Sequence, residues 1–85
     1  MSVAKERFTV FGFAGTHDAL KAEEVLLEAG TDVVLIPTPR ALGSLCGFAV
    51  RVPVHQRDEA LAALIAVRRE PDGEAEIEDR VSRRR

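Results

Sequence analysis

Apolar positions along this 85-residue chain change their spacing several times, and each change marks an element. From Arg7 to Phe13 aromatic and β-branched residues dominate until Ala14-Gly15, which predicts a first strand. Ala19, Ala22, Leu26 and Ala29 then recur at helical spacing as far as Gly30, a natural C-terminal stop. Thr16 is placed to cap that helix and Asp18 to complement its dipole. Asp32 to Ile36 reads as a second strand ended by Pro37, and Phe48 to Val52 as a third ended by Pro53. A second helix is expected over 58–69, with Leu61, Leu64 and Ile65 on its buried face. After the turn Pro71-Asp72-Gly73, the stretch Glu74 to Val81 alternates charged residues with Ala75, Ile77 and Asp79, as a polar edge strand does.

The order strand, helix, strand, strand, helix, strand is that of a ferredoxin-like α+β sandwich, four antiparallel strands with two helices on one face. A rival, three parallel strands with a crossover helix over 39–45, is disfavoured because such crossovers take a dozen or more residues and this connection has about eleven. The expectation is a single domain over 1–85, ordered from about 7 to 81, with a frayed basic tail at 82–85. The first two strands are apolar on both faces. Phe8 and Val10 oppose Phe11 and Phe13, and Val33 and Leu35 oppose Val34 and Ile36, so the face without helices is expected to be covered by a second copy or a partner.

Composition narrows the function. A chain this short buries about 60–65% of its unfolded surface, so its core is modest. Four of the twelve basic residues are Arg80, Arg83, Arg84 and Arg85; without them eight basic residues face fourteen acidic ones, a body charge of −6. An acidic body speaks against nucleic acid as the main partner, since phosphates call for clustered Lys and Arg. The N-terminal stretch lacks the apolar centre of a signal peptide and nothing approaches a membrane span, so a soluble cytoplasmic protein is expected. One cysteine excludes an internal disulfide and fits a reducing compartment.

That cysteine, Cys46, ends the constrained segment Ile36-Pro37-Thr38-Pro39-Arg40-Ala41-Leu42-Gly43-Ser44-Leu45-Cys46-Gly47. It follows a two-proline turn and precedes a glycine, outside any hydrophobic period, where a thiol can meet another molecule. The bland reading is a small hydrophobe packed under the loop. Pro37 and Pro39 hold the loop by fixing φ rather than by reacting. A reactive thiolate is favoured by a nearby cation, for which Arg40 in the loop and Arg51 on the next strand are the candidates. A helical turn over 39–45 would oppose this, because it places Cys46 at the negative end of that turn.

Phe13-Ala14-Gly15-Thr16-His17-Asp18-Ala19-Leu20-Lys21-Ala22-Glu23, with Leu35-Ile36-Pro37-Thr38-Pro39-Arg40 and Ser44-Leu45-Cys46-Gly47, resembles the bacterial selenium/sulfur carrier protein-like family over residues 8 to 52. The Pro-Thr-Pro-Arg to Cys-Gly block is the most specific part. The resemblance implies a carrier role for Cys46. Gly15 and Gly43 stand where the family pattern has serine, so two hydroxyls that could bind an anion are missing.

Thr16 and His17, at the start of the first helix, could bind an anion on free backbone N–H groups; a plain helix start with an exposed histidine is the alternative. That helix is expected to begin at the opposite end of the sheet from the loop between the second and third strands, keeping His17 away from Cys46. His55 is expected to be exposed. Two separated histidines and one cysteine give no zinc spacing, and Gly12-Phe13-Ala14-Gly15 lacks a phosphate-loop pattern. Glu23 and Glu24, or Glu74, Glu76 and Glu78, read as solvated faces rather than acid-base pairs.

Three functions follow. The first is a carrier rather than a turnover enzyme, without metal or organic cofactor, in which Cys46 accepts and hands on a sulfane sulfur or selenium atom. Arg40 supports the anion; Thr16, His17, Pro37, Thr38, Pro39, Ser44 and Gly47 shape the site; donor and acceptor proteins of sulfur or selenium metabolism are the partners. The second is a regulatory or assembly module that dimerises or docks through its sheet, with Cys46 structural. The third is an anion sensor at Thr16 and His17.

Overall fold

In a computed structural model the chain is described over residues 5–43, 45 and 47–80. Among these residues it forms β1 (Lys5–Gly12), α1 (Thr16–Glu28), β2 (Val34–Pro37), β3 (Phe48–Pro53), α2 (Arg57–Ala66) and β4 (Gly73–Arg80). The strands make one sheet in the order β2-β3-β1-β4, each neighbouring pair antiparallel. This is the expected ferredoxin-like sandwich, and it removes the parallel alternative. Ser44, Cys46 and the tail from Val81 onward, with its Arg83 to Arg85, lie outside the described residues.

The alternation along β1 decides the layers. Phe11 and Phe13 project with Val50 and Val52 of β3 onto the helix side, where they meet Ala19, Ala22 and Leu26 of α1 and Ala60 and Leu64 of α2. The alanines let both helices sit close to the sheet, and each buried Phe or Leu contributes about 1.5–3 kcal/mol. Both helices end in the same hydrogen-bonded device. Gly30 (φ 85°) donates to Leu27 O and Thr31 to Leu26 O; Arg68 (φ 60°) donates to Ile65 O and Arg69 to Leu64 O. Glycine takes that left-handed position freely, whereas Arg68 holds it at a steric cost of about 1–2 kcal/mol.

Several expectations shift at this level. α1 is preceded by an extended Gly15 that provides no side-chain cap, and Thr16 is an exposed first residue rather than a cap. α2 stops at Ala66 because the chain turns left-handed at Arg68, short of the expected Arg69. Its buried stripe is Ala60 and Leu64; Ile65, one residue round the helix, is 48% exposed. Gln56 just before α2 leaves the helix uncapped and turns its amide to Asp32 instead, accepting from the Asp32 N–H at 2.8 Å and donating to its carboxylate at 3.0 Å.

The second face carries Phe8, Val10 and Gly12 of β1, Ala49, Arg51 and Pro53 of β3, Val34 and Ile36 of β2, and Gly73, Ala75 and Ile77 of β4. The first two strands are apolar on both faces as expected, but the chain itself covers part of this second one. Val10 and Ala49 are fully buried with no helix above them. The connection from β2 to β3 folds back over this face and sets Leu42 and Leu45 against Gly12 and Gly73.

Candidate functional site

β1 and β2 run parallel on either side of β3, so both finish at the same end of the sheet, where β3 and β4 begin. Gly12 pairs with Ala49 on one side and Gly73 on the other, and Ile36 with Ala49. Three connections therefore meet at this end: β1 to α1, β2 to β3, and α2 to β4. The expectation that α1 starts at the opposite end from the cysteine loop is overturned by this register. Two antiparallel steps, β1 to β3 and β3 to β2, restore the original direction.

Two of the connections are braced together. Asp72 donates its N–H to Gly12 O at 2.8 Å and accepts the Ala14 N–H on its carboxylate at 2.8 Å. Arg69, just past α2, pairs with Asp18 in the first turn of α1 at 2.7 Å. A shallow polar depression of about 190 Å³ lies between them, floored by Phe13 and rimmed by Asp18, Arg68, Arg69 and Asp72. Sequence reading assigned Asp72 only to a turn; its neighbours, proline and glycine, were the visible signal.

The third connection carries most of the expected site. Pro37 closes β2, and Pro39 enters a single 3₁₀ turn over Arg40–Leu42 in extended geometry (φ −67°, ψ 155°). Leu42 donates to Pro39 O at 3.1 Å and Gly43, at φ 71°, to Arg40 O at 2.9 Å. The neck of the loop is closed by the Thr38 N–H to Gly47 O bond of 3.0 Å. Arg40, Pro37 and Gly47 are exposed; Thr38 and Pro39 are half-buried. Thr16 and His17 are exposed at the same end, at the start of α1 on the helix side of the sheet, while Leu42 and Leu45 lie on the other face. Ser44 and Cys46, named from the sequence, lie outside the described residues.

Arg51, the second candidate cation, lies within the sheet. It is 5% exposed on the second face, its guanidinium 4.1 Å from the Phe8 ring centre and 3.1 Å from Asp79 at the far end of β4. Register places Ala49, not Arg51, in the row beside the loop, and the side chain reaches toward Asp79, away from it. Its guanidinium acts as a lid on the Phe8 ring. Beside it, at the end where β2 starts, runs a groove of about 630 Å³ lined by Phe8, Val34, Arg51, Asp32, Glu6 and His55 among others. Its walls come from three separate stretches of chain, 6–8, 27–34 and 51–55, so the sequence carries no local sign of it. His55 is exposed, as expected.

Two members of the acidic run of β4, Glu74 and Glu76, are paired with arginines, and Glu74, Glu76 and Glu78 are all exposed. Glu74 receives two bonds from Arg57, at 2.8 and 2.9 Å, and Glu76 one from Arg7 at 2.7 Å. These hydrogen bonds hold both carboxyls below the usual carboxylate range and push both guanidiniums up. Among the described residues no group of three or more His, Cys, Asp and Glu could hold a metal, and no helix is long and apolar enough to cross a membrane.

The sequence pattern of the family described as "Putative Se/S carrier protein-like" matches residues 8–78, from the middle of β1 almost to the end of β4. The chain belongs to this family. The match takes in the whole βαββαβ order, well beyond the stretch that ends at Val52, so the carrier-like family and the ferredoxin-like sheet coincide. No curated protein and no solved structure matches the chain.

Proposed function

We propose that this Se/S carrier-like protein accepts a sulfane sulfur or selenium atom on Cys46 and hands it to an acceptor thiol. The observation that carries the reading is the family match across residues 8–78, which includes the whole two-proline loop and its cysteine. The chemistry needs one thiolate and no cofactor. The Cys46 thiolate attacks the outer sulfur of a donor persulfide, forming a new S–S bond while the donor's S–S bond breaks and its thiolate leaves. The acceptor thiolate then attacks that outer sulfur, the bond to Cys46 breaks, and Cys46 returns as thiolate. No net oxidation occurs in either half, and a selenium atom follows the same path.

Arg40, exposed in the 3₁₀ turn six residues before Cys46, is the cation that favours the thiolate and the anionic persulfide. The exposed start of α1 at the same end of the sheet, with Thr16 and His17, provides a second place for negative charge. Donor and acceptor proteins of sulfur or selenium metabolism dock on this end. The test is intact mass after reduced protein meets a persulfide or selenium donor, wild type beside Cys46→Ser. One added sulfur or selenium atom in the wild type alone, removed by an acceptor thiol, is the expected result; no adduct in the wild type sinks the carrier.

A second reading is a docking module with Cys46 structural, and the groove and the place of β4 at the edge of the sheet favour it. A homodimer belongs to this reading. A thiol that resists alkylation until the protein unfolds, together with a dimer in sedimentation at high micromolar concentration, selects it.

A further inference from the structure

The groove of about 630 Å³ beside Arg51 has an apolar floor, Phe8, Val34 and Pro53, and carboxylates at its sides, Glu6 and Asp32. Its charges do not balance. Glu6 of β1 stands directly opposite Asp79 of β4, an arrangement that like charges disfavour. Arg51 relieves only one of the two. It is bonded to Asp79 at 3.1 Å, whereas no hydrogen bond or ion pair among the described residues reaches the half-buried Glu6. Asp32 is held by the neutral amide of Gln56 at 3.0 Å, which brings no positive charge. A cation that meets Glu6 and Asp32 must therefore come from outside the groove.

The chain carries such cations at this end of the sheet. β4 runs to Arg80, opposite Lys5 and one position beyond the Glu6–Asp79 pair. Val81, Ser82, Arg83, Arg84 and Arg85 follow it in the sequence, while Met1 to Ala4, which precede Lys5 at the same end, have no charged side chain. The distance is also within reach. From β4 across β1 and β3 to β2 is three steps of the sheet, about 14 Å at about 4.8 Å a step. An extended chain covers about 3.3–3.6 Å per residue, so residues 81–85 span about 17 Å. Glu6 lies on that path, and Asp32 lies at its end, just before β2.

We propose that this groove is the docking site of residues 81–85 of the same chain, whose arginines cross the second face from the end of β4 and set their guanidiniums against Glu6 and Asp32. A guanidinium fork matches a carboxylate, and its stem suits an apolar floor. Each such pair is weak by itself in water. The tether offsets that weakness, because a short connection holds the arginines at an effective concentration of about millimolar. Cys46 plays no part in this contact, so its outcome leaves the carrier reading untouched.

The experiment compares the backbone amide spectra of the wild-type chain and of a full-length variant carrying Arg83→Ser, Arg84→Ser and Arg85→Ser together, at about 20 mM and about 500 mM salt. The expected result is a set of differences centred on Glu6, Phe8, Asp32 and Val34 at low salt that vanishes at high salt. Glu6→Gln should reproduce most of that pattern, and Asp32→Asn serves the same purpose if Glu6→Gln does not fold. The free peptide Val-Ser-Arg-Arg-Arg should bind the triple variant about threefold or more tightly than wild type, as a groove filled by its own arginines about two-thirds of the time requires.

The proposal is overturned by spectral differences confined to Asp79 and Arg80, by differences at the groove that survive high salt, or by equal affinity of the peptide for both proteins. Differences that fade on dilution from about 500 to about 20 μM also overturn it, since they would place the arginines in the groove of a second copy.

Discussion

At the end of the second face where β1 and β2 finish, the strands have given up their side chains and a loop supplies the bulk, Leu42 and Leu45 over Gly12 and Gly73. At the other end the strands keep theirs. Phe8 and Ile77 stand side by side on β1 and β4, and the cover is one long residue, Arg51, lying across Phe8 to reach Asp79. The first arrangement makes burial depend on how a connection is folded, so anything that moves the loop uncovers the sheet. The second depends only on a side chain rooted in the central part of the sheet, and because a guanidinium is thin it leaves the groove of about 630 Å³ open beside it.

The difference can be broken most strongly at Arg51. Arg51→Ala removes the cover from Phe8 and is expected to lower unfolding stability by about 2–3 kcal/mol in urea titration. Arg51→Met, which keeps the apolar stem, should stay within about 1 kcal/mol of wild type, because Asp79 is half exposed and its ion pair adds little. Equal losses in both variants would mean that charge, not cover, matters there.

Leu45→Ala at the loop end should cost less, about 1–2 kcal/mol, since the leucine is only half-buried. A loss as large as that of Arg51→Ala would make the loop part of the core. The smallest effect concerns the opposite face of β4, where guanidiniums again do the covering. Glu74 and Glu76 have folded-state pKa values below their unfolded ones, so their pairs add stability above the ordinary carboxylate range and lose it as pH falls through the lower folded values. Stability measured between neutral pH and about pH 3 should fall mildly, and Arg57→Gln should flatten part of that decline.

The layers were legible in the sequence because β1 alternates so fully that its two apolar faces could be assigned from Phe8, Val10, Phe11 and Phe13 alone. The order of elements then left one common fold. What escaped was what crosses from one element to another. Leu42 and Leu45 lie three apart in a proline-bounded loop, a single pair too short to establish a helical period, so nothing announced that they would cover the sheet. Gly12 inside an apolar strand was the available hint, since glycine there often means close approach. The position of Arg51 was not legible either: β3 sets it beside Val10 and turns it to Asp79 of β4. The shared end of α1 and the loop was misjudged for a related reason: it follows from the direction of β2 relative to β1, which is set by β3 between them.

Gly12 and Gly73 also bear on how the strands find one another. Sliding β1 by a single residue would exchange its faces and bring Phe11 or Phe13 under the two leucines, where even one added carbon atom at Gly12 would lie within 3 Å of them. The same slip would lay a bare glycine against the helices. The loop thus proofreads the register of the central strand, rejecting the pairing that hydrophobicity alone would tolerate in a strand apolar on both sides.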